Sequence, residues 1–263
     1  MTGSERYIGI EAVSHQAYIS QTMGRPYLVT TYGTASEDVT QKKESAMAKD
    51  QNPAATRKAI LDAAFNLFYH NGFQATGLSE IVEQAGVSKG AIYNHFASKL
   101  ELGYAIVDEV LHEYVLSHWM APYQELEDPI EATMSVMDNA REFLAESEFN
   151  LGCPLNNLVQ EMASIDEGFH SRLNQLTVNW VETVARSFAR AQEKGSLRPD
   201  VNPAEVAGFV VSVFEGTMGL VKCARSVEYL EQNTRQLLTY LSPLRQSDSV
   251  YESQQVTCKK TQG

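Results

Sequence analysis

Cysteine is scarce in this chain: Cys153, Cys223 and Cys258 are the three thiols in 263 residues. An odd, widely spaced set excludes a disulfide scaffold and suits a reducing compartment. No CxxC pair or Cys/His cluster occurs, so neither a zinc site nor any other metal or cofactor is expected. There is no run of eighteen apolar residues, which argues against a membrane-spanning helix. The first thirty residues lack a basic head followed by an apolar block, so no secretory leader is expected and the cytoplasm is the expected location. A Gly-rich phosphate loop and a paired-carboxylate arrangement are missing too, which removes the commonest signatures of an enzyme. What remains is a composition of 43% hydrophobic and 21% charged residues, that of a globular chain able to bury one large core or two small ones.

Positive charge is also in short supply, at 21 Lys and Arg against 33 Asp and Glu, a net −12. Its distribution matters more than its sum. Residues 1–46 carry −1 and residues 101–263 carry −12, whereas residues 47–100 carry +1 through Lys49, Arg57, Lys58, Lys89 and Lys99. Exposed charges farther apart than about 8 Å are largely screened at physiological salt, so the local balance governs a docked ligand. One segment is suited to a polyanion, and the rest would be repelled by it.

No helical or strand period is sustained over residues 1–46, which read as a poorly ordered extension with Met47 as a second possible start of translation. From Asn52 onward the period is helical. Ile60, Leu61, Ala64, Phe65, Leu67 and Phe68 share one face of a first helix, which Asn71-Gly72 ends. Thr76 stands as the cap of a short helix carrying Ile81, Val82 and Ala85, and Ser88 caps another that ends near Phe96. Ser98 to Glu101 fits a capping box opening a long helix. Further helices are expected at 129–147, 154–163, 166–194, 203–225 and 227–242, with a disordered tail over 246–263. Strand alternation is absent, so the fold class is all-α. The expected division is a first helical unit at 47–100 and a larger helical unit at 101–245.

Residues 76–99, TGLSEIVEQAGVSKGAIYNHFASK, form the informative stretch. Two short helices around a glycine turn make a helix-turn-helix, with Val87 filling the angle and Ile92 and Phe96 facing inward. Lys89, Gly90, Ala91, Tyr93, Asn94 and His95 are then left outward. They are small, basic or hydrogen-bonding, as a helix entering a major groove requires. Tyr93, His95 and Lys99 can donate to phosphate oxygens, which position a protein without reading sequence.

Over residues 54–101 the chain resembles the DNA-binding domain of the tetracycline-repressor (TetR) family of bacterial transcription regulators. The likeness rests on Phe68, Asn71, Gly72, Phe73 and Thr76 and on AGVSKGAIYNHFASK. It implies a homodimer that binds a palindromic operator in double-stranded DNA and leaves it when a small molecule enters the C-terminal domain. By position it implies DNA contacts at Ser88, Lys89, Gly90, Tyr93 and His95, with Thr76 and Lys99 on phosphates. It further implies that the last two helices form the dimer interface, where Phe209, Val213, Gly216, Leu220 and Leu238 would lie.

The regulatory half carries fewer signals. Gly152-Cys153-Pro154 with Asn157 and Glu161 also resembles a motif of some members of this family, certain of which sense electrophiles through a cysteine in such a context. Here no Lys, Arg or His flanks Cys153 to favour a thiolate, and a buried, inert thiol is expected. Trp119, Phe143, Phe149, Met162, Phe169 and Trp180 suit either a core or the wall of an effector cavity, with Cys153, Asn157, Glu161 and His170 as its polar groups. Two alternatives stay open: an activator of the same fold, and an enzyme pairing Cys153 with His170 behind a fused helix-turn-helix.

Overall fold

A computed structural model describes residues 52–146 and 151–246. The expectations for residues 1–46, Met47, Phe149 and Cys258 lie outside them. Among the described residues there are nine helices, a closing 3-10 turn at Ser242–Leu244 and no strand, with one isolated antiparallel bridge, Leu197 to Arg245. Helix α1 spans Pro53–Asn71, α2 Leu78–Ala85 and α3 Lys89–His95. Helix α4 runs without a break from Lys99 to Glu125. It is π-helical at Ile106–Leu111 and Leu116–Met120 and α-helical elsewhere. Then follow α5 (Pro129–Glu146), α6 (Pro154–Met162), α7 (Glu167–Glu193), α8 (Pro203–Ala224) and α9 (Glu228–Leu241).

The boundaries follow from local chemistry. Asn52 Oδ1 accepts from the Ala55 N–H at the start of α1, and Ser88 Oγ accepts from Ala91 N at the start of α3. Ser98 Oγ accepts from Glu101 N, the first half of the expected capping box. Glycine ends α1 and α2, with φ of 90° at Gly72 and 62° at Gly86, where a side chain would be strained. The start of α2 departs from expectation. Its cap is Gly77 rather than Thr76, and the Gly77 N–H donates to Glu80 Oε2 at 2.8 Å. Of the expected tail, Gln246 is held by its N–H donating to Ser196 O at 2.9 Å, and residues 247–263 lie outside the described residues.

One continuous core joins both halves of the chain. Ile60, Ile81, Ile92 and Phe96 hold α1 to α3 together, and Leu102 and Ile106 of α4 extend that packing toward Trp119, Phe169, Trp180 and Phe214. Helix α8 anchors itself through Val210, Phe214, Met218 and Val221, buried against the body at about 1.5–3 kcal/mol each. Its mean hydropathy of 1.5 over eighteen residues is sufficient, by length and composition, to cross a membrane. Lack of an uninterrupted apolar run was therefore too strict a test. The excess comes from a second apolar face, with Phe209 and Leu220 exposed.

Candidate functional site

Helices α2 and α3 meet at Gly86-Val87-Ser88, with Val87 buried in the angle and Ala91, Ile92 and Phe96 turned toward α1. Arg57 of α1 covers the Phe96 ring, its guanidinium carbon 5.0 Å from the centroid, and forms an ion pair with Glu109 of α4. The short third helix is thus backed by both neighbours. Its free side presents Ser88, Lys89, Gly90, Tyr93 and Asn94, with Tyr93 50% exposed and His95 half-buried at the edge.

Three residues of the expected DNA-contacting set stand elsewhere. Ala91 is buried in the packing of α3 rather than displayed on its surface. Thr76 is 1% exposed, and its hydroxyl donates to Gly72 O at 2.7 Å, so it closes the α1–α2 turn from inside instead of meeting a phosphate. Lys99 is half-buried. Its Nζ donates to Gln74 O at 3.2 Å and sits 4.6 Å from the Phe73 ring centroid, and burial draws its pKa below the usual lysine value.

The same turn is held from a different direction. Glu161, near the end of α6, accepts from Phe73 N at 2.9 Å and from Gln74 N at 2.8 Å. In the sequence Glu161 stands out only as a polar neighbour of the cavity, because an 88-residue separation hides such a contact.

Inside the helical body, Cys153 is 1% exposed, and its thiol hydrogen-bonds the carboxylate of Glu215 on α8. Burial first, and then the Glu215 charge, push the thiol well above its ordinary value. The N–H groups of Asn156 and Leu155 pull it down too weakly to prevail. Glu215 itself is pushed up to about 7 by burial. Its Oε2 and the Tyr114 hydroxyl are buried without a hydrogen-bond partner among the described residues. Tyr114 also feels the charges of Cys153, Tyr69 and Glu215, which places these four groups in one neighbourhood. Phe143 adjoins it, with its ring centroid 5.8 Å from Tyr114 and 6.4 Å from Tyr69.

Of the expected cavity residues, Phe143, Cys153, Met162 and Trp180 are buried, while Asn157 is half-buried and bonds Leu151 O and Lys222 Nζ. His170 is exposed on α7, so it belongs neither to the interior nor to a dyad with the buried Cys153. Of the residues expected at a dimer interface, Phe209, Gly216, Leu220 and Leu238 are exposed and Val213 is half-buried, on the outer side of α8 and α9.

Two family descriptions match this chain: "Bacterial regulatory proteins, tetR family" over residues 60–106, and "Tetracyclin repressor-like, C-terminal domain" over residues 129–237. The chain is 26% identical over 176 residues to the transcriptional repressor DhaR of a Mycobacterium species, covering 67% of this chain and 87% of that protein. To the A-factor receptor protein of Streptomyces griseus it is 28% identical over 170 residues, covering 65% of this chain and 56% of that protein. Its fold matches the crystal structure of a regulator from Chloroflexus aurantiacus with a TM-score of 0.68 at 24% identity, covering 75% of this chain and all of that one.

Proposed function

The chain belongs to the TetR family of DNA-binding transcriptional regulators, and from that membership we propose a homodimeric repressor that a small-molecule effector releases from its operator. The observation that carries the effector half of this reading is the pair of buried, unpartnered polar atoms, Glu215 Oε2 and Tyr114 Oη. A buried polar atom without a partner costs roughly 1–3 kcal/mol, and a ligand that pairs it recovers that cost on binding. The effector therefore offers a hydrogen-bond donor to Glu215 and an acceptor to Tyr114, beside the rings of Tyr69 and Phe143. Two similar proteins support the same reading by their names, one a repressor and one a receptor.

DNA contact falls to Ser88, Lys89, Gly90, Tyr93, Asn94 and His95, with α3 in the major groove. The outer faces of α8 and α9 meet their copies in a second chain, as a two-fold dimer requires. The test is selection of genomic fragments by the purified protein, footprinting of the bound site, and a titration of small molecules for release. A two-fold footprint lost on addition of one compound class is the expected result. Binding to no fragment would overturn the reading.

A further inference from the structure

We propose that Glu161 is a positioning residue for DNA binding: it holds the α1–α2 turn, and with it the helix-turn-helix, at the angle set by the helical body. The proposal rests on the regulatory reading above. Its material is the backbone of Phe73 and Gln74, which is gripped from two helices at once. Glu161 of α6 accepts both N–H groups, at 2.9 and 2.8 Å, and Lys99 of α4 donates to the carbonyl of Gln74 at 3.2 Å. Hydrogen bonds from amides to an ionised carboxylate are roughly twice as strong as neutral ones, so this is a firm grip for one side chain.

The turn is shaped to receive the carboxylate. Gly72 has φ of 90°, and a Cβ there would stand 3.1 Å from Glu161 Oε1 and 3.2 Å from Oε2. Any other residue would be strained in backbone and would crowd the carboxylate as well. Thr76 closes the turn from below, and Gly77 starts α2 directly after it. The orientation of α2, and of α3 beyond it, therefore depends on where Glu161 holds residues 73 and 74.

The other end of α6 is tied to the interior. Gly152 O accepts the Tyr69 hydroxyl at 2.7 Å, Asn157 bridges Leu151 O and Lys222, and Cys153 rests against Glu215. Helix α6 has nine residues, so at 1.5 Å per residue the polar interior and the turn are roughly 13 Å apart along one rigid rod. Beside it runs a cleft of about 520 Å³ between α1, α6 and α8.

The experiment compares wild type, Glu161→Gln and Glu161→Ala by anisotropy on the DNA selected with the wild type. Thermal melting, light scattering and hydrogen exchange of the full chain accompany it. Glutamine keeps the volume but presents one acceptor where two are needed; alanine removes both. We expect operator affinity to fall about tenfold or more in both variants, with dimer and melting temperature preserved and faster exchange at the Phe73 and Gln74 amides. Unchanged affinity in both variants would overturn the proposal, as would loss of folding in both, since Glu161 would then serve stability alone. A wild type that binds no DNA would instead overturn the regulatory reading.

Discussion

Phe209 of α8 and Tyr240 of α9 pack their rings 4.7 Å apart while each remains 45% exposed. Two aromatic side chains held together at the surface form a preassembled apolar patch, extended by Leu220 and Leu238. A second copy across a two-fold axis would cover it. Phe209→Asp and Gly216→Asp should yield monomers in light scattering, with unchanged helicity and lost operator affinity. A dimer of wild-type stability in both variants would remove these helices from the interface.

The exposed side chains of α3 should account for DNA affinity, and salt should separate their roles. Lys89→Ala should weaken binding to all sequences and flatten the slope of affinity against salt by about one unit per lost phosphate contact. Lys99→Ala should also weaken binding, yet leave that slope unchanged, because the half-buried Lys99 is already bonded to Gln74 O. Equal salt slopes for the two variants would contradict this division of labour.

Glu215 should leave a pH signature in stability. Its folded value of about 7 lies above the ordinary carboxylate value of about 4.3, so the folded state holds the proton more tightly than the unfolded chain. The sign is therefore that stability is greatest below about pH 4.3 and declines as pH rises toward 7, by at most about 4 kcal/mol. Glu215→Gln should lose that decline between pH 5 and 8 in chemical denaturation. A variant that retains the wild-type slope would show that the carboxyl is not held protonated.

Cys153 should be chemically quiet. With burial and Glu215 opposing its ionisation, iodoacetamide at neutral pH should label the exposed Cys223 first and spare Cys153 until the chain unfolds. Peptide mass spectrometry reads this directly. Cys153→Ser should respond to effector nearly as wild type does, whereas rapid labelling of Cys153 in the folded protein would revive an electrophile-sensing role.

Local chemistry made most of the fold readable. Apolar residues at three- and four-residue spacing, Ser88 and Ser98 as caps, and Gly72 and Gly86 as stops placed the helices within a residue or two. Thr76 was misread because a threonine before a short helix has the composition of a cap, while its actual partner, Gly72 O, depends on the turn closing. Ala91 was misplaced because the roll of a seven-residue helix is fixed by its packing on α1, not by its own pattern. The polar interior needed long-range pairing that periodicity does not contain. One sign of it was present: Glu215 is a lone acidic residue amid an apolar stretch of α8, a costly placement unless the site uses it.

The two π-helical stretches of α4, Ile106–Leu111 and Leu116–Met120, also bear on how this chain tolerates length changes. A π-turn holds one residue more than an α-turn, so each stretch stores a spare residue between the end of the helix nearest α3 and the end beyond Trp119. Deleting one residue there should be absorbed by tightening to ordinary α-helix, leaving the phase of both ends intact. The same deletion within Lys99–Ala105 would rotate everything after it by about 100° and turn Trp119 out of the core.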